Sequence, residues 1–215
     1  MSRRILALLV GSAGVPGVAA AQELDADTFE ISGSAFDDQG TLQLVHPHIG
    51  DPGSFYAGVG VVYAHNPLVW RFADGTKEVL VDGQLSARVA GGVNLLRRVR
   101  LDLEVPIYPW VGVSGSPTFA MGDIRLGANV PIVAYEDEGV GLSIYPFLSA
   151  PTATSGAWVS DGSFAGGAVA TVGGRAGKLN WAVNLGADLG GASTVGATTL
   201  GSAMTAGAGG SYDLT

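Results

Sequence analysis

The feature that most constrains this chain is a period of two. From Glu78 to Leu95 the odd positions read Val79, Val81, Gly83, Leu85, Ala87, Val89, Gly91, Val93 and Leu95. The even positions include Glu78, Asp82, Gln84, Ser86, Arg88 and Asn94. Successive side chains of an extended backbone point to opposite faces, so one face of this segment is apolar and the other polar. The pattern returns. Val99, Leu101, Leu103, Val105 and Ile107 oppose Arg98, Arg100, Asp102, Glu104 and Tyr108, and Ile124, Leu126, Ala128, Val130 and Ile132 oppose Asp123, Arg125, Gly127 and Asn129. Leu179, Trp181, Val183, Leu185 and Leu189 oppose Asn180, Asn184, Gly186 and Asp188. Weaker alternation runs through Ser54–His65, Val140–Pro151, Phe164–Gly174 and Leu200–Asp213. These segments predict eight strands, each able to supply the roughly 9–11 residues with which a tilted strand crosses a bilayer. No stretch follows the period of a helix, and no apolar run approaches the length of a spanning helix.

The connections add independent information. Between successive strands lie residues 66–77, 95–98, 110–121, 135–139, 152–163, 175–178 and 190–199, so that long and short links alternate. Outer-membrane barrels have short periplasmic turns and longer external loops. On that reading the first strand starts on the periplasmic side, and His65, Trp70, Trp110, Trp158 and Val113–Pro117 belong at or beyond the outer rim. Tyr63, Tyr108 and Trp110, near strand ends, are placed for an aromatic girdle. The competing fold is a soluble sandwich or lipocalin-like barrel, because alternation alone does not say which face is dry. Against it, the polar face is mostly Gly, Ala, Ser and Asn, sparser in charge than a soluble exterior.

Composition agrees. Charged residues make up 14% of the 215 residues, against about 25% in an ordinary soluble domain. The net charge of −8 disfavours a nucleic-acid-binding face. The absence of Cys excludes disulfides, thiolate metal sites and a cysteine nucleophile. Met1-Ser2-Arg3-Arg4, the apolar run Ile5–Val10 and Val18-Ala19-Ala20-Ala21 have the order of a secretory signal cleaved after Ala21. The expected organisation is therefore a signal peptide (1–21), a periplasmic lead-in (22–53) with a candidate strand at Thr41–Val45, and an outer-membrane β-barrel (54–215).

Several stretches resemble the N-terminal β-barrel of OmpA-family outer-membrane proteins of the delta-proteobacterial type. They are Gly58–Val69, containing Tyr63-Ala64-His65-Asn66-Pro67-Leu68; Leu103–Tyr108; Gly122–Ala128 with Pro131; and Tyr145–Leu148 with Pro151-Thr152. The resemblance covers residues 40 to 215 and marks turns and strand ends, not an active site. It implies outer-membrane lipid and the barrel-assembly machinery as partners, and peptidoglycan through a C-terminal domain with no positions in this sequence. The end at Ser211-Tyr212-Asp213-Leu214-Thr215, without a terminal aromatic, reads as an incomplete barrel.

Constellations for chemistry are sparse. His65 near the rim is a candidate base, but no Ser is placed beside it by register, so catalysis is not expected. His46-Pro47-His48 puts two imidazoles on one side of an extended segment without a third ligand, so neither a metal nor a cofactor is expected. Glu136-Asp137-Glu138 and Asp37-Asp38 read as turns, and no phosphate-binding Gly loop is present. Function is concentrated in the interior. Asp82, Arg88, Arg98, Arg100, Asp102, Glu104, Arg125 and Asp188 are predicted to point inward, because a basic side chain on the lipid face at mid-membrane costs about 2–4 kcal/mol. The turn near Leu96, between the second and third alternating segments, predicts an Arg88–Glu104 pair. The expected fold is an all-β, transmembrane, antiparallel up-and-down barrel with at least eight strands. Its expected role is a non-enzymatic envelope anchor, with a passive diffusion channel as the alternative and a rim hydrolase third.

Overall fold

A computed structural model describes residues 44–72, 74–96, 98–113, 116–134, 139–160, 162–190, 193–195 and 198–212. The signal segment, Asp37-Asp38, Thr41–Gln43 and the Glu136-Asp137-Glu138 turn lie outside the described residues. Among the described residues there are eleven strands. They are β1 (Phe55–Arg71), β2 (Lys77–Leu96), β3 (Val99–Val113), β4 (Ser116–Met121), β5 (Ile124–Val133) and β6 (Gly139–Ala150), followed by β7 (Ala165–Ala176), β8 (Leu179–Leu189), β9 (Ser193–Val195), β10 (Thr198–Leu200) and β11 (Ala203–Tyr212).

Eight of them form one antiparallel sheet in the order β1-β2-β3-β5-β6-β7-β8-β11, curled into a half-barrel. These eight correspond to the eight alternating segments. β4 folds back onto β3, and β9 pairs with β10 as a separate hairpin. Two of the three short links are tight turns at one end of the sheet, between Leu96 and Val99 and between Ala176 and Leu179, where Gly177 takes φ +62°; the third falls largely outside the described residues. That conformation is inexpensive for glycine and suits a two-residue hairpin.

Three of the four long links differ from the expected loops. Most of residues 66–77 continues as strand, because β1 and β2 extend into a hairpin closed at residues 72–76. A register shift between His65 and Leu68 marks where this extension begins, with Asn66 at φ +49°. Asn is among the residues that tolerate this region best. Residues 110–121 hold the end of β3 and all of β4, and residues 190–199 hold β9 and most of β10.

The two faces of the curl are opposite in character. Outward positions are apolar and exposed, including Val59, Val61, Leu103, Leu126, Ile132, Leu148, Val183, Leu185 and Met204. No outward position from Phe55–His65 or within β3, β5, β6, β7, β8 or β11 carries a charge. The concave face buries Gln84, Ser86, Arg88, Asn94, Arg100, Asp102, Glu104, Asn129, Ser143, Thr171, Asn180 and Asn184. This inverts the usual arrangement, in which charged residues are rarely buried. At the long-link end a small apolar cluster fills the curl: Val81, Tyr108, Val111, Ala120, Ala157 and Val159.

Candidate functional site: the interior of the curl

The concave face is built in rows that cross the strands. Register links Tyr56 to Gly92, Gly92 to Asp102, Asp102 to Gly127, Gly127 to Phe147, Phe147 to Gly167 and Gly167 to Asp188. Large side chains and glycines therefore alternate along one row, and the large ones lie over the glycines. A Cβ at Gly92 would stand 2.4 Å from both the Tyr56 ring and the Asp102 carboxylate, and one at Gly127 would stand 2.0 Å from the Tyr145 hydroxyl. At Gly167 it would meet the Phe147 ring at 2.7 Å. Each glycine is required by close approach, since such overlaps force backbone or ring to move.

Onto this row are fixed the charges. The Tyr56 hydroxyl donates to Asp102 Oδ1 at 2.6 Å, and Arg100 Nε donates to Asp102 Oδ1 and Oδ2 at 3.0 and 3.3 Å. The Arg100 guanidinium stands 5.4 Å from the Tyr56 ring centre, so that Tyr56, Arg100 and Asp102 form a closed triad. One row further, Arg88 and Glu104 form an ion pair with side chains 6% and 9% exposed. They are diagonal in register, because Arg88 pairs with Pro106 and Ala90 with Glu104. Glu104 is directly opposite Arg125 on β5, whose guanidinium lies 4.7 Å from the Phe147 ring centre. Asp188 occupies an inward, half-buried position on β8.

Two of the predicted inward charges lie elsewhere. Arg98 is exposed in the β2–β3 turn, where the chain is reversing and alternation no longer fixes direction. Asp82 is displaced by a register shift between Val81 and Gly83. The shift turns Val81 into the apolar cluster and lays the Asp82 carboxylate over Gly112, away from the Arg–Glu network.

The end of the expected lead-in is also inside. Val45, His46 and Pro47 are buried in the curl near its short-turn end. Side chains of the wall hold this strap by its main chain. Asn129 Nδ2 donates to the His46 carbonyl at 2.8 Å, and Arg100 Nη1 to the His48 carbonyl at 3.3 Å. With its amide oriented to suit its neighbours, Asn184 accepts from the Val45 N–H at 2.7 Å and donates to the Val45 carbonyl at 3.0 Å. Shape matches as well: Leu44 packs over Gly207 and Gly209, and Pro47 over Gly173.

The opposite end is covered by residues 151–160. Asp123 anchors them, accepting from the N–H groups of Thr152 (3.0 Å) and Ala153 (3.1 Å) through Oδ1 and from the Ser160 hydroxyl (2.5 Å) through Oδ2. This places Ala157 and Val159 in the apolar cluster. On the outer face at the same end, Tyr63 stacks on Trp110 with ring centres 6.2 Å apart, above Gly83.

His65 is exposed, with its ring 3.2 Å from the Asn66 amide. His46 and His48 sit in the strap, where the His48 N–H donates to His46 Nδ1 at 3.2 Å. Among the described residues no three His, Asp or Glu side chains gather as a metal-ligand set. The arrangement can fill a bore, hold buried charges in pairs and retain a strap.

Alternation did not single out Tyr56, Tyr145 and Phe147 as interior groups. Their spacing from Gly58, Ser143 and Ser149 on the same face is the signal that identifies them. The chain matches no family model, no curated protein and no solved structure.

Proposed function

We propose that this chain is the membrane-spanning barrel portion of an outer-membrane protein of the OmpA kind, and that it serves as a non-enzymatic envelope anchor. The observation that carries this reading is the inverted sheet. Contiguous apolar surface of this extent is costly in water, and buried Arg and Glu are costly in an apolar core unless paired. Lipid outside and a polar, internally paired bore make both arrangements favourable. Tilted strands of about ten residues match an apolar band of about 25 Å. Aromatic residues stand near both ends of the outer face: Tyr63, Trp110 and Phe164 at one, Phe55 and Tyr212 at the other.

The edges support the same conclusion. Soluble sheets blunt their edge strands with charges, Pro or bulges. Neither Phe55–Ala64 of β1 nor Ala203–Tyr212 of β11 contains a charged residue or a Pro. Edges of this kind suit a closed wall, in which each pairs with a further strand.

Anchoring is favoured over conduction because the bore is occupied. Arg100, Tyr108, His46 and Asn129 are all at most 1% exposed, and the strap and the 151–160 segment cover opposite ends. Its partners on this reading are the surrounding lipid and the barrel-assembly machinery. The test is refolding into detergent and then into planar bilayers. Faster gel migration without boiling, with no sustained conductance, is expected. Folding in plain buffer without detergent would overturn the membrane assignment, and sustained conductance would replace the anchor with the channel.

A further inference from the structure

We propose that the wall around Leu44–His48 is a main-chain-binding groove for an extended, uncharged peptide, and that the strap occupies it in cis as a releasable plug. Three observations carry this. First, buried side chains of the wall bond to the strap's main chain: Asn129, Arg100 and Asn184, which are 0%, 0% and 8% exposed. Donors and acceptors buried to this degree, aimed at the peptide groups of Val45, His46 and His48, are those of a peptide-binding site. Secondly, the wall is relieved where the strap's side chains land. A Cβ would stand 2.8 Å from Leu44 at Gly207 and 2.9 Å from Pro47 at Gly173.

Thirdly, the strap has its own hinge. It joins β1 through Asp51-Pro52-Gly53, an exposed turn with Gly53 at φ +84°. That turn is fixed to β2 by the Gly53 N–H on the Asn94 carbonyl (2.6 Å) and the Asn94 N–H on the Ser54 carbonyl (2.9 Å). β1 thus stays anchored while the residues before Asp51 leave. Release frees the short-turn end of the bore, and it breaks one of the contacts of Arg100, which also holds Asp102. Plug and interior triad therefore share one guanidinium.

The absence of native Cys permits a direct test on the full chain, folded in detergent and with no requirement that the bore conduct. The thiol of a Val45→Cys variant is expected to react with a maleimide far more slowly than that of a Ser54→Cys variant in the exposed hinge. Adding Asn184→Ala removes the two bonds to Val45 and is expected to raise the Val45→Cys rate about tenfold. Asn129→Ala provides the same test should Asn184→Ala fail to fold. The amidated peptide of residues 43–49, added in excess, is expected to raise the rate saturably. Equal rates at positions 45 and 54, or rates indifferent to both wall substitutions and to the peptide, would overturn the groove.

The plugging step rests on the membrane reading and is tested separately in bilayers. A Leu44→Cys/Gly207→Cys pair, oxidised, is expected to be silent, and Asn184→Ala combined with Asp123→Asn, which loosens the cover of the opposite end, is expected to show conductance steps. Strap release measured by labelling without any conductance would overturn the plug while leaving the groove intact.

Discussion

The Arg88–Glu104 pair gives the most decisive test of a dry, paired interior. Glu104→Gln preserves the side chain's shape and removes its charge, so that a guanidinium 6% exposed loses its carboxylate. Breaking a buried pair from one side costs about 3–5 kcal/mol, because the remaining charge stays desolvated. Replacing both partners by apolar side chains of similar volume, as in Arg88→Met/Glu104→Leu, removes that penalty and is expected to be near neutral or stabilising. Urea unfolding of the protein refolded in lipid vesicles, followed by the fluorescence of its four Trp residues, reads the difference. With a slope of about 2 kcal/mol per molar urea, Glu104→Gln should lower the midpoint by about 2 M. The double variant should recover most of that loss. A drop below about 0.5 M for Glu104→Gln, or a double variant worse than either single one, would refute a desolvated pair. The ion pair would then be a solvated contact of the usual small value.

Four further outcomes follow from other parts of the wall. Leu126→Arg, at an exposed outward position of β5, is expected to cost about 2–4 kcal/mol in vesicles, whereas a soluble sheet would tolerate it; unchanged stability in lipid would contradict the lipid-facing assignment. Gly127→Val drives a side chain into Tyr145 and should cost about 1–3 kcal/mol, a loss that Tyr145→Ala in the same chain should largely restore; failure of that rescue would show the ring is not the obstacle. Asp123→Asn weakens the anchor of residues 151–160, with an expected cost of about 1–3 kcal/mol and faster protease cleavage within that segment, while unaltered cleavage would argue against the anchor. At the tip of the β1–β2 hairpin, hydrogen bonds from the Thr76 hydroxyl and N–H hold the Asp74 carboxyl below its usual range. A depressed pKa stabilises the turn at pH above the unfolded value and loses that contribution as pH falls through the lowered one. The Thr76 amide resonance should therefore titrate below the ordinary aspartate range, and a midpoint at or above that range would count against the turn.

The strands were legible because the outward positions of this sheet hold so few residue types. Leu101, Leu103 and Val105 between Arg100, Asp102 and Glu104 leave one possible direction for each side chain once the sheet is continuous. The same rule misplaced Asp82 and Arg98, and for a shared reason: alternation fixes direction only while the register is unbroken. A register shift beside Asp82 and a reversing chain at Arg98 each break it. The hairpin extension beyond His65 was equally hidden, since Asn66-Pro67 reads locally as a turn although the strands resume beyond it.

Less of the interior was legible, because its organisation lies across strands and not along them. Gly92, Gly127 and Gly167 are unremarkable among 34 glycines until register places Tyr56 over the first, Tyr145 over the second and Phe147 over the third. In a curled sheet the inner face has less room per residue than the outer one, so large inward side chains need small neighbours on adjacent strands. That requirement turns the glycine content from a mark of flexibility into one of tight filling. It also explains why the charges meet as they do. Rings lying over glycines leave narrow gaps, in which Arg100 reaches Asp102 along one strand and Arg88 reaches Glu104 diagonally across two. Rings laid over glycines thus fill the curl from one side, and a strap bound through its peptide groups fills it from the other.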